Sequence, residues 1–110
     1  MNTEEIMIRQ KIENGSFCKN NGRILQMLNV LAGGFKRISE IKYVLSDIEE
    51  CDIARSIDYL FEGGYIRLRN TETKRNTDLA DTQLKYLEVK LTDKGVQILV
   101  GKKEDVCIEL

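Results

Sequence analysis

Residues 50–70 read ECDIARSIDYLFEGGYIRLRN, and two different periods meet inside them. Ile53, Ile57 and Leu60 follow the i, i+4, i+7 spacing of one buried helical stripe. Gly63 and Gly64 then end the helix, because glycine accepts the left-handed conformation of a helix stop. In YIRLRN the spacing falls to two, so Ile66 and Leu68 face one way while Tyr65, Arg67 and Arg69 face the other. The expectation is a helix over about 50–62 that feeds a strand at once.

Reading upstream, SEIKYVLSD (39–47) predicts a two-turn helix capped by Ser39, with Ile41, Val44 and Leu45 on one side. A short turn, DIEE, joins it to the helix already described. The preceding FKRI (35–38) is long enough to pair as a short strand. Before that, NNGRILQMLNVLAGG (20–34) carries Ile24, Leu25, Leu28 and Leu31 on one helical face, with Asn20 or Asn21 as cap and Gly33 and Gly34 as stop. The first 19 residues form a helix or arm, capped at Thr3 and stopped at Gly15, in which Ile6, Met7, Ile8 and Ile12 leave a narrow apolar stripe.

Downstream, TETKRNTDLADTQ (71–83) is polar and long for a hairpin tip. KYLEVKL (85–91) alternates, with Leu87, Val89 and Leu91 inward and Tyr86, Glu88 and Lys90 outward. Thr92 caps a last helix in DKGVQILVG, and KKEDVCIEL (102–110) is a short mixed tail. The organisation expected is therefore an arm over 1–19, an α+β domain over 20–101 and a tail over 102–110. Its core should unite Ile24, Leu28, Leu31, Ile41, Leu45, Ile53, Ile57, Leu60, Ile66, Leu68, Val89 and Leu91.

Composition narrows the function. The chain has 110 residues, 42% hydrophobic and 32% charged, which suits one small soluble domain. Its charged, interrupted N-terminus is no signal peptide, and no apolar run reaches the length of a membrane span, so a cytoplasmic protein is expected. Histidine is absent, and Cys18, Cys51 and Cys107 lie far apart, which argues against zinc and against a disulfide framework. The plain reading is three reduced thiols; a redox role, if any, falls first to Cys51 at a helix N-terminus. No phosphate loop, nucleophile motif or persuasive carboxylate pair points to an enzyme, and no cofactor or metal is expected.

Two stretches carry a resemblance. DIARSIDYLFEGGYIRLR is similar to the recognition helix, turn and first wing strand of the winged helix-turn-helix superfamily. VKLTDKG resembles the second wing strand entering the closing helix, where MarR- and PadR-type regulators often show Leu-Thr-x-x-Gly. The likeness spans about Asn21 to Gly101, while the acid-x-Arg feature common in MarR-type wings is not clear in TETKRNTDLADT. Small regulators of mobile elements and prophages are similar in length. The resemblance implies a DNA-binding transcriptional regulator, usually a homodimer, with helix 50–62 in a major groove and wing 65–91 on the phosphate backbone. Winged helices also serve as protein-docking modules, so that alternative stands beside it.

Charge bears on the choice. With a net charge of −1, only a local patch can attract a polyanion. The outer half of helix 50–62 offers Arg55 against Asp52, Asp58 and Glu62, a sum of −2, leaving Arg55 and Tyr59 as readers of bases. Between Tyr65 and Leu91 the cations Arg67, Arg69, Lys74, Arg75, Lys85 and Lys90 outnumber four carboxylates, a sum of +2. The DNA contacts expected are thus Lys36, Arg37, Arg55, Tyr59, Arg67, Arg69, Lys74 and Arg75, with binding that leans on the wing and on dimerisation through the N-terminal segment or the closing helix. A small-molecule effector leaves no trace in the sequence.

Overall fold

The computed structural model describes residues 2–31 and 33–110. It runs α1 (Thr3–Val30), β1 (Lys36–Arg37), α2 (Ile38–Val44), α3 (Glu50–Glu62), β2 (Ile66–Asn70), a 3₁₀ turn (Leu84–Tyr86), β3 (Leu87–Leu91) and α4 (Asp93–Leu99). The class is α+β: among the described residues, four helices accompany an antiparallel sheet of strand order β1-β3-β2. None of these helices is long and apolar enough to cross a membrane.

The N-terminal expectation needs correction. Arm and first core helix are one 28-residue helix. Asn2, not Thr3, caps it, its Oδ1 accepting from the Glu5 amide at 2.8 Å. Gly15 does not stop it, because a helical glycine costs only about 1 kcal/mol and continuous hydrogen bonding outweighs that. Asn20 and Asn21 do not cap either. Asn21 is fully buried, and its Nδ2 donates to the Cys107 carbonyl at 2.8 Å, a contact 86 positions away that local sequence cannot announce.

Ten of the twelve expected core residues are buried, and the other two, Leu31 and Leu91, pack partly buried against them. Ile57 and Leu60 are wholly inaccessible. Leu25, Met27, Ile38, Ile48, Tyr65, Leu87 and Ile98 complete the cluster. Ile38 explains a second correction. α2 begins there, so that Ile38, Ile41 and Leu45 form one inward stripe, while the expected cap Ser39 lies inside the helix and Val44 is exposed.

The α3–β2 junction is as expected and its chemistry is local. Gly64 takes φ +79°, the Gly64 amide donates to Phe61 and the Tyr65 amide to Leu60. That pair of bonds satisfies the last carbonyls of α3. Thr92 caps α4, accepting from the Gly95 amide at 3.2 Å and donating to the Gly64 carbonyl at 2.6 Å. Gly95 is required for closeness: a Cβ there would overlap the Tyr65 carbonyl and press on Leu91. The glycine of LTDKG therefore lets α4 cross the start of β2 at backbone distance.

Candidate nucleic-acid interface

The sheet has one face on the core and one in water, and register assigns each side chain. Leu68 stands opposite Val89, both buried, so the row containing them faces inward, and Lys36, opposite Val89 on β1, lies on that side at the sheet edge. Arg37, Glu88 and Arg69 form the next row and face outward. Two residues further along the strands, Arg67 and Lys90 oppose each other on the same outer face, both exposed.

Glu88 departs from expectation. It is 4% exposed, because cations close over it. Arg69 Nε donates to Glu88 Oε1 at 2.6 Å and Lys74 Nζ to the same oxygen at 3.1 Å. The Arg69 guanidinium also lies 3.9 Å from the centre of the Phe35 ring. Burial pushes the Glu88 carboxyl up, but the hydrogen bonds from Lys74 and Arg69 outweigh it and hold the group below its ordinary value. Two of the expected wing cations are thus occupied within the protein.

What remains is still positive. The outer face presents Arg37, Arg67, Arg69, Lys74 and Lys90 against Glu88 alone, five cations to one anion, a sum of +4. Among the described residues Arg37, Arg67 and Lys90 enter no ion pair. The tip, by contrast, is not basic. Lys74 turns back to Glu88, while Glu72, Asp78 and Asp81 accompany the exposed Arg75. Cationic character has moved from the tip to the strands.

On α3, Ile53, Ser56, Ile57 and Leu60 face inward and Cys51, Asp52, Arg55, Asp58 and Glu62 are exposed. Its N-terminal end is electronegative, with donor atoms of Glu49, Cys51 and Asp52 all within 4.8 Å of one another. Lys42 relieves part of this by bonding Glu50 at 3.0 Å. Arg55 is exposed, yet its guanidinium lies over the Phe17 ring of α1 at 4.4 Å, a cation–π contact that draws it toward α1.

Tyr59 is half-buried on the same flank. Its ring meets Phe17 edge-on at 5.3 Å, and its hydroxyl donates to Asp105 at 2.7 Å. Tyr65, expected outward, is buried instead, and its hydroxyl donates to Asp105 Oδ2 at 2.6 Å. The reason is the tail, which folds back as a docked segment rather than a loose end. The Cys107 amide gives Asp105 a third donor at 2.8 Å, and the Glu109 amide donates to the Cys18 carbonyl at 3.0 Å. Burial raises both phenols first and Asp105 adds to it, taking Tyr65 to about 12 and pushing Tyr59 up as well. Burial alone would raise Asp105, but Tyr65, Tyr59 and the Cys107 amide together hold it low.

The expected DNA contacts therefore divide. Arg37 and Arg67 share the open outer face; Arg69 and Lys74 share it while clamped on Glu88; Arg75 stands alone at the tip; Arg55 and Tyr59 lean on α1; Lys36 sits at the inner edge. Lys90 was not among the expected contacts, although its place opposite Arg67 follows from pairing the two alternating strands. Asp105 carried no sequence signal. No family model, curated protein or solved structure matches this chain.

Proposed function

We propose that this chain is a winged helix-turn-helix protein that binds double-stranded DNA and regulates transcription. Helix, short strand, helix, helix, and a hairpin closing a sheet of order β1-β3-β2 are the parts that fold requires. The observation that carries the reading is the outer sheet face, +4 on a chain whose net charge is −1. Phosphate contacts by Lys and Arg supply most non-specific affinity, and this face concentrates them. α3 enters the major groove with Arg55 as its one cationic reader, and Arg37, Arg67, Lys90 and Arg75 hold the backbone.

A homodimer belongs to this reading. Every residue from Thr3 to Ser16 is exposed, with Ile6, Met7, Ile8 and Ile12 each more than 40% accessible. A helical segment of that length is marginal in water without a packing partner, and a second copy supplies one. Doubling the cationic face also compensates for the weak attraction of α3.

A gel-shift titration against the DNA upstream of its own gene tests the proposal. Retardation that survives competitor DNA supports it, and free migration of every duplex at low salt defeats it. One observation favours a second reading, a protein-docking winged helix: the exposed surface of α3 carries Asp52, Asp58 and Glu62, besides Glu50, against Arg55 alone. Elution with a protein partner, together with no retention on heparin, would put that reading first.

A further inference from the structure

The tail lays the half-exposed Cys107 beside the turn of α1 that carries the half-exposed Cys18. Cys18 lies on α1, and its Sγ sits 3.8 Å from the Val106 carbonyl oxygen while its own carbonyl accepts from the Glu109 amide. Cys107 lies between those two tail residues. One turn along α1, Asn21 grips the Cys107 carbonyl at 2.8 Å, so the tail cannot slide past Cys18 without losing that bond. Val106 is 97% exposed, whereas Cys107 next to it is partly covered. Gly22 makes the approach possible, since a Cβ there would overlap the Glu109 carbonyl.

We propose that Cys18 and Cys107 form a dithiol modification site that a peroxide oxidises to a disulfide, covalently fastening the C-terminal tail to α1. One thiolate attacks a peroxide oxygen, the O–O bond breaks, and a sulfenic acid forms as water leaves. The second thiol attacks that sulfur, the S–O bond breaks, and a second water departs as the S–S bond closes. The two sulfurs together lose two electrons, and the peroxide gains them.

Cys18 is not a fast sensor thiol. Burial raises its pKa first, and the neighbouring Cys107 thiol raises it further by charge and by hydrogen bonding. Thiolate is the reactive form, so oxidation accelerates as pH rises. Cys51 stands apart on exposed α3, bonded only weakly to Glu49.

The test treats the full chain and its Cys51→Ser variant with hydrogen peroxide. Intact mass, thiol titration and peptide mapping without reductant then follow. In the wild-type chain titratable thiols should fall from three to one. The mass should drop by about 2 Da as two thiol hydrogens leave, and dithiothreitol should restore it. Cys51→Ser should still form the 18–107 link, whereas Cys18→Ser should not give an intramolecular bond. Free thiols at both 18 and 107 after treatment, or a link from either to Cys51, would overturn the proposal.

Discussion

Arg67 and Lys90 stand directly opposite each other across β2 and β3, two exposed cations that among the described residues have no ion-pair partner. Like charges in that position weaken a sheet, by about 0.2–1 kcal/mol relative to a neutral pair. A protein that keeps the pair gives up stability for charge. Replacing Arg67 with Thr should therefore raise stability to urea by about 0.5 kcal/mol while weakening duplex binding. Urea melts and fluorescence anisotropy on one preparation would read both signs.

Glu88 restrains the same face from below. Glu88→Gln removes its charge from Arg69 and Lys74, and should cost about 1–2 kcal/mol, less than a fully buried pair because Lys74 stays half in water. The two released cations should tighten binding to any duplex. Stability carries a pH signature too. The folded carboxyl lies below its unfolded value, so its contribution is present above the unfolded pKa and is lost as pH falls through the folded one. Urea melts should show wild type and Glu88→Gln converging in acid.

Asp105 holds the tail through two phenols. Asp105→Asn should destabilise the fold by about 1–3 kcal/mol, because two tyrosine hydroxyls lose a charged acceptor. Tyr65 is raised to about 12, so the stability it contributes is complete below its unfolded value and drains away as pH rises toward 12. Ultraviolet titration of phenolate should show late ionisation in the wild type, and earlier ionisation in Asp105→Asn.

Two glycines of α1 should respond oppositely to alanine. Gly15 has open space around it, so Gly15→Ala should stabilise by up to about 1 kcal/mol. Gly22→Ala gains the same helix propensity but drives a methyl into the Glu109 carbonyl, so the tail must lift. Thermal melts should rise for the first and fall for the second.

These residues also show where sequence reasoning reached and where it stopped. The α3–β2 junction was legible because its signals are contiguous: an apolar stripe, a glycine stop and an alternating strand. The Thr92 cap was legible for the same reason. Gly15, Asn20 and Asn21 misled because each is a weak local signal: helical hydrogen bonding runs on through Gly15 and Asn20, and the tail claims the Asn21 side chain. Glu88 and Tyr65 were assigned to water because alternation ignores distant partners. One is buried by Lys74 from the hairpin tip, and the other by Asp105 from a tail without periodicity.

On the function proposed, exposed cations on the outer sheet face hold DNA phosphates. This is tested most directly by the salt dependence of binding to a random-sequence duplex, for wild type and Arg67→Ala/Lys90→Ala. Plotted as log K against log salt, the wild type should give a steep negative slope. The double variant should bind more weakly, with a slope shallower by up to about 1.8, or 0.9 for each lost phosphate contact. Equal affinity and equal slope for the two proteins would contradict the account.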